Sequence, residues 1–249
     1  MNKLENGVTN IFLGGFVTPN VRLVAGEEYG QLYGNAYVRD PNKGNKIVVG
    51  ANGLPFVTPG VQRIGNPNPK YTLGITNTIT WKAITLSFLM EIREGGDQYS
   101  RNIADLQRNG VAIETAKYPR YNAAGVIQTP YIFDAVYANG QPNTTYVSAQ
   151  DYFGNSGKYA AAEGFVYKTS WFRVREASVN YTLPSDLLKR TPFSSASLSV
   201  FGRNLFLNAP FYPHLDPEQN ALGVSSAQGL EFNALPQTRT IGIGLNLSF

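Results

Sequence analysis

The stretch Tyr71-Thr72-Leu73-Gly74-Ile75-Thr76-Asn77-Thr78-Ile79-Thr80-Trp81-Lys82-Ala83-Ile84-Thr85-Leu86-Ser87-Phe88-Leu89-Met90-Glu91-Ile92-Arg93 decides the fold class. Tyr71, Leu73, Ile75, Ile79 and Trp81 occupy odd positions against Thr72, Gly74, Thr76, Thr78 and Thr80 on the even ones. Period two puts the two sets on opposite faces of an extended strand. After Lys82-Ala83 the phase swaps, and Ile84, Leu86, Phe88, Met90 and Ile92 fall on even positions. A two-residue turn between antiparallel strands produces this swap. Asn77 on the apolar face and Leu89 on the polar face are the exceptions.

The pattern recurs at Ile241, Ile243, Leu245, Leu247 and Phe249, which alternate with Thr240, Gly242, Gly244, Asn246 and Ser248. Residues 195–205 alternate more loosely. Residues 171–181 change parity around Arg175-Glu176, which predicts a β-bulge there. These strands, of nine to twelve residues, are longer than the mode of about five or six and match the roughly 9–11 of a tilted membrane strand. Their connections alternate in length: two residues, then 77 (94–170), then 12 (183–194), then 32 (206–237). Outer-membrane barrels join their strands by short periplasmic turns and long extracellular loops, whereas compact soluble domains seldom carry loops beyond about 12–15 residues. The chain is therefore expected to be all-β, an antiparallel transmembrane β-barrel portion with long extracellular loops. Two or three further strands are expected before Asn66. Residues 183–190 suit one helical turn capped by Ser185.

Composition agrees and narrows the chemistry. Charged residues make up 15% of the 249, aromatics 12%, with 25 Gly and 15 Pro, which disfavours both disorder and long helices. The absence of cysteine excludes disulfides and thiolate metal sites, and the lone histidine, His214, cannot build a triad or a His cluster. The net charge of +4 is dispersed, with no basic run longer than Lys189-Arg190, so no nucleic-acid partner is expected. Gly154-Asn155-Ser156-Gly157-Lys158 lacks the leading Gly and the following Ser or Thr of a phosphate loop. The run from Asp40 to Asn45 opens like a calcium loop but has Ala51 where a bidentate Glu is required, so a hairpin turn is the better reading. The carboxylate pairs Glu27-Glu28 and Asp216-Glu218 read as solvated or turn residues. No catalytic residue, metal site or cofactor is expected, and the chain reads as a non-enzyme. The Tyr-, Asn- and Gly-rich loops 118–131 and 137–152 read as solvated surface or as polar contacts for a ligand. With lipid on the apolar side, Glu91, Arg93, Arg173 and Arg175 must face the lumen or clear the bilayer rim, and read as lumen-facing structural ion pairs or contacts for a polar substrate.

Over nearly its whole length the chain resembles the C-terminal part of SusC/RagA-type TonB-dependent outer-membrane transporters. The similar pieces are Gly26-Glu27-Glu28-Tyr29-Gly30-Gln31-Leu32-Tyr33-Gly34, the Asp40–Gly44 turn, Ile64-Gly65-Asn66-Pro67-Asn68-Pro69-Lys70-Tyr71 and Arg93-Glu94-Gly95-Gly96-Asp97. They continue with Trp171-Phe172-Arg173-Val174-Arg175, Val179-Asn180-Tyr181-Thr182-Leu183-Pro184 and Gly202-Arg203-Asn204-Leu205-Phe206, then Asp216-Pro217-Glu218, Pro236-Gln237-Thr238-Arg239-Thr240 and Phe249. The resemblance implies a barrel of about 22 strands closed by a plug. It implies import of glycans or oligopeptides driven by the TonB system, a SusD-like surface lipoprotein as partner, contact with outer-membrane lipid, and location in the outer membrane of a Gram-negative bacterium. It also implies that Phe249 is an assembly signal. Residues 1–7 carry no apolar leader, and the signal peptide, TonB-contacting box and plug would precede Met1, so residues 1–249 read as a truncated or split barrel portion. The alternative from another class is a soluble or surface β-rich module that binds glycans through Tyr, Trp and Asn.

Overall fold

A computed structural model describes residues 3–5, 7–223 and 226–249. Met1, Asn2 and Asn6 of the leader reading, and Val224 and Ser225 inside the span 206–237, lie outside the described residues. Among the described residues six short strands, more than the two or three expected, precede Asn66: β1 (Asn10–Gly15), β2 (Asn20–Val24), β3 (Gln31–Gly34), β4 (Arg39–Asp40), β5 (Lys46–Val49) and β6 (Gln62–Gly65). The hairpin follows as β7 (Tyr71–Trp81) and β8 (Ile84–Glu94), then β9 (Asp97–Ser100) and α1 (Arg101–Arg108). Next come β10 (Ala135–Tyr137), α2 (Ala149–Phe153), β11 (Val166–Lys168) and β12 (Trp171–Thr182). The chain continues through α3 (Ser185–Leu188), β13 (Ser195–Asn208), β14 (Leu230–Glu231) and β15 (Thr240–Ser248). Two compact units divide these elements: residues 1–68, 96–168 and 218–234 form one, and 69–95, 169–217 and 235–249 the other.

The second unit is the five-stranded antiparallel sheet β15-β13-β12-β8-β7. Its strands are the five that the alternation marks, with β13 extending to Asn208 rather than stopping near Leu205. The hairpin register pairs Leu73 with Ile92, Ile75 with Met90, Ile79 with Leu86 and Trp81 with Ile84, and Lys82 in the turn adopts a φ of 54°. Register shifts between Val174 and Glu176 on both sides of β12: against β8 Arg175 is the bulged residue, whereas against β13 the extra residue lies on β13, where Asn204 and Leu205 face Arg175. The shift keeps the apolar rows on one face across the parity change: Met90 meets Val174, which meets Phe206, on one side of it, and Leu86 meets Val179, which meets Val200, which meets Ile243, on the other. One sheet face is thus apolar apart from Asn77 and Asn208, and it is exposed, reaching 71% at Ile241 and 75% at Ile243. The other face carries a hydroxyl ladder, Thr78 to Ser87 at 3.1 Å and Thr80 to Thr85 at 3.2 Å, and an ion pair from Arg203 to Glu176 at 3.6 Å. There the Phe201 ring lies where a Cβ on Gly242 would stand, at 2.5 Å from its Cζ, so a larger residue at 242 would require the ring to move. β7 and β15 are the two edges, and these five strands do not close a barrel among themselves. The turn 183–194 contains α3, but Ser185 is its first residue rather than its cap. Pro184 holds the cap position and no side chain caps the helix.

The first unit holds the four-stranded sheet β1-β2-β3-β6 and two three-stranded sheets, β10-β5-β4 and β11-β9-β14. The Asp40–Asn45 run is the expected hairpin turn: Asp40 Oδ1 accepts from the Asn42 amide at 2.9 Å, and Gly44 and Asn45 take positive φ between antiparallel β4 and β5. The long connection 95–170 is not an open loop. It has its own helices and strands, and its aromatics form small cores, Phe133 stacked on Tyr152 with ring centroids 4.3 Å apart and Tyr131 edge-on to Phe153 at 5.3 Å. Such ring pairs add stabilisation beyond area burial, which compensates for the scarcity of aliphatic side chains here. Ser100 caps α1 by accepting from the Ile103 amide at 3.1 Å, and Gly110, with a φ of 72°, lets the chain turn away after it.

Candidate functional site

The charged residues of the polar sheet face gather around the bulge. Arg175, pushed out of register, reaches Glu91 on β8: its Nε donates to Glu91 Oε2 at 2.9 Å and its Nη2 donates to the same oxygen. Their side chains keep about a quarter of their exposure, so this pair presents charge to solvent. Arg93 lies two residues along β8, half-buried, with its Cα opposite Trp171 and Thr72. Arg173 differs, being 1% exposed. Its Nη2 donates to Asp216 Oδ1 at 2.6 Å and its Nη1 donates to Gln237 Oε1 at 3.0 Å. The buried Trp171 ring stands 5.5 Å from the Arg173 guanidinium carbon and 5.8 Å from that of Arg175. Of the four residues placed at a solute's disposal by parity, Glu91 and Arg175 are held together and accessible, Arg93 is half-buried, and Arg173 is a buried structural anchor in this structure.

Asp216 is where the turn-or-solvent reading fails. It is 6% exposed and holds the buried guanidinium. Burying a charge without a partner is costly, so the two carry each other. The Arg173 cluster also joins pieces quoted separately above: Asn204 Oδ1 accepts from Arg173 Nη1 at 3.4 Å, and Asn204 Nδ2 donates to the Thr238 carbonyl at 3.0 Å. In the first unit Asn66 plays the equivalent part. Its amide donates to Asp97 Oδ2 at 2.9 Å, its Oδ1 accepts from Gln31 Nε2 at 3.0 Å, and its Nδ2 donates to Glu28 Oε2 at 2.5 Å. Glu27 accepts from the Tyr33 hydroxyl at 2.9 Å. Glu27 and Glu28 stand in a turn, Glu27 half-buried and Glu28 exposed, as the turn-or-solvent reading has them, and both also accept these hydrogen bonds.

Within 95–170, the Lys158 ammonium donates to Gln107 Oε1 at 2.8 Å and lies 4.9 Å from the Phe165 ring centroid. Burial lowers its pKa to about 8, opposed by the charge of Glu114. Burial also raises Tyr99 to about 12 and pushes Tyr37 and Tyr167 upward. Tyr131 and Tyr152 are spent on packing, while Tyr121 and Tyr146 remain exposed. Phe249 is 86% exposed, with its ring 5.1 Å from that of Phe193. Among the described residues no group of three or more His, Asp or Glu comes together as a metal site.

Comparison with known proteins bears on this arrangement. No family model matches the chain. In sequence it is similar to TonB-dependent receptor P3 of Formosa agariphila, 27% identical over 191 residues, and to TonB-dependent receptor P26 of the same organism, 24% identical over 204. Each match covers 75% of this chain, and the chain spans only 17% and 18% of those proteins. In fold it is similar to a chain of the RagAB peptide transporter, with a TM-score of 0.60 at 17% identity, covering 99% of this chain and 25% of that one. The RagAB peptide importer in its closed-closed state gives 0.59 at 18% identity. The resemblance to TonB-dependent receptors read from the sequence is thus met by curated relatives in sequence and by RagAB in fold.

Proposed function

We propose that the chain is a segment of a SusC-type TonB-dependent transporter in the outer membrane, contributing five barrel strands and the folded connections between them. The observation that carries this reading is the predominantly apolar face, with rows in register across all five strands and exposed to the surroundings. In water such a patch is an aggregation hazard, and in lipid it is the required surface. Aromatic rings stand at both ends of the band: Trp81 and Tyr181 near the Lys82-Ala83 turn, Tyr71 and Phe172 at the other end. Trp81 lies ten positions after Tyr71. At about 3.3 Å per residue and a tilt near 40° they stand roughly 25 Å apart along the membrane normal, the height of a barrel's apolar band. A soluble glycan-binding module would leave this face in water.

In this reading the connection 95–170 and the residues between β13 and β15 face the exterior, while Lys82-Ala83 and 183–194 face the periplasm. A SusD-like lipoprotein covers the outer side, TonB supplies energy through the plug of the whole transporter, and a polar glycan or oligopeptide passes along the face bearing Glu91 and Arg175. The segment catalyses no reaction. External trypsin on intact cells tests the topology. Cleavage is expected first after Lys117 or Arg120, in the exposed stretch 117–127, with the protein recovered in the outer-membrane fraction. Recovery in the soluble fraction, or protection from external trypsin that persists when the lipoprotein is deleted, would defeat the proposal.

A further inference from the structure

The folded connection between β8 and β12 contains a cavity of about 380 Å³, within the range of small-molecule sites. Three segments enclose it: the C-terminal end of α1 through Gly110, the hairpin closed by the Gln128 amide donating to the Arg120 carbonyl at 2.8 Å, and residues 148–150. Two charged side chains line it, Arg108 and Arg120, and both are cationic. No carboxylate is among its described lining residues. Arg120 Nη2 donates to the Gly110 carbonyl, which fixes the fork, and the remaining N–H donors of the guanidinium are available to an anion. Arg108 is held over the Tyr159 ring, its guanidinium carbon 4.8 Å from the centroid. Gln107, Gln128 and Gln150 add amides that both donate and accept, and the exposed Tyr121 adds a ring face. Apolar seats are few, Ile127 being the one large aliphatic side chain of the lining.

We infer that this cavity binds an acidic saccharide, its carboxylate or sulfate on the two arginines and its hydroxyls on the amides. A peptide would need apolar seats for its side chains, whereas a polyhydroxylated ligand uses the mixed donors and acceptors present here. The inference deepens the transporter reading by naming a substrate class, and it rests on that reading for the meaning of the site.

The test is titration of the full chain in detergent with oligogalacturonate, a sulfated oligogalactose, an uncharged oligogalactose and an acidic peptide of matched length. At least one acidic saccharide is expected to bind, more weakly as salt rises, and to exceed the uncharged sugar and the peptide by about tenfold. Arg108→Gln with Arg120→Gln should weaken binding about tenfold or more. Ile127→Trp, at an exposed position, should block the cavity without touching the arginines, so the inference does not depend on the arginine variant folding. The carboxylate and sulfate arms identify which anion the site takes. Tighter binding of the peptide, no binding of either acidic saccharide, or unchanged binding in both variants overturns the site. Cellular uptake separates it from the transporter reading. Binding without TonB-dependent uptake removes the transporter and keeps the site, while undiminished uptake by the arginine variant removes the site and keeps the transporter.

Discussion

Arg173 on β12 and Asp216, 43 residues later, form a buried ion pair at 2.6 Å, with 2% and 7% of their side chains exposed. Gln237 and Asn204 also accept from the guanidinium, so four segments of the second unit are tied at one point. Breaking such a pair leaves a desolvated charge, at a cost of about 3–5 kcal/mol, whereas replacing both partners by apolar groups is often close to neutral. Arg173→Met or Asp216→Leu alone is therefore expected to destabilise the second unit strongly, and the two together to lose much less. Denaturant midpoints of the four proteins of the cycle, followed by tryptophan fluorescence, measure this. Equal losses in single and double variants would mean that the pair does not stabilise by mutual compensation.

The hairpin register makes a prediction that depends on one residue of phase. A one-residue slip would exchange its faces. Single cysteines at positions 75 and 88 should react with membrane-confined probes, and those at 76 and 87 should not but should accept water-soluble reagents. The Thr78–Ser87 and Thr80–Thr85 contacts already put the hydroxyls on one side, as this pattern requires. Labelling at 76 and 87 from the lipid phase would invert the assignment of faces.

What could be read from the sequence was what repeats locally. Alternation and its phase swap at Lys82-Ala83 located all five long strands, and the parity change located the bulge at Arg175, because side-chain period is a property of neighbouring residues. The fold of 95–170 was not legible. Its cores join Tyr131, Phe133, Val147, Tyr152 and Phe153, which follow no fixed period, and a loop rich in Tyr and Asn has the same composition whether its rings face water or each other. The Arg173–Asp216 pair was hidden for the same reason: nothing near Asp216 in the chain says that a guanidinium lies above it. The quoted pieces held a signal that composition lacked, since Arg173, Asn204, Asp216 and Gln237 come from four of them and meet in space.

Lys158 gives the first unit a pH dependence whose sign can be worked out. Its folded pKa, about 8, lies below the ordinary 10.5. Between these values the unfolded chain holds a proton that the folded chain has released, so stability rises with pH there. Above about pH 10 the slope reverses, because unfolded tyrosines ionise while buried Tyr37, Tyr99 and Tyr167 keep their protons. The denaturant midpoint, followed by near-ultraviolet circular dichroism, should climb between about pH 8 and 10 by an amount on the order of 2 kcal/mol, at about 1.4 per unit. Lys158→Met should abolish the climb and leave the fall above pH 10. A variant that climbs as the parent does would assign the effect to another group.

Phe249 is the residue for which packing and assembly make opposite forecasts. Its ring is 86% exposed and meets only the edge of a surface cluster with Phe193, and its carbonyl accepts from Ser194 Oγ at a long 3.4 Å. Truncating a fully buried Phe costs about 3–5 kcal/mol, but that figure belongs to a closed core, and an exposed ring forfeits far less. Phe249→Ala should therefore leave the unfolding midpoint of inserted protein within roughly 1 kcal/mol of the parent. If the resemblance is right that this aromatic is read by the outer-membrane assembly machinery, the same change should slow the appearance of folded, protease-resistant protein in the outer membrane after a pulse of synthesis. Phe249→Tyr, which keeps an aromatic ring, should restore the rate. Normal insertion kinetics for the alanine variant would remove the assembly role. A large loss of stability with normal kinetics would show instead that lipid or a neighbouring strand buries the ring that this sheet leaves open.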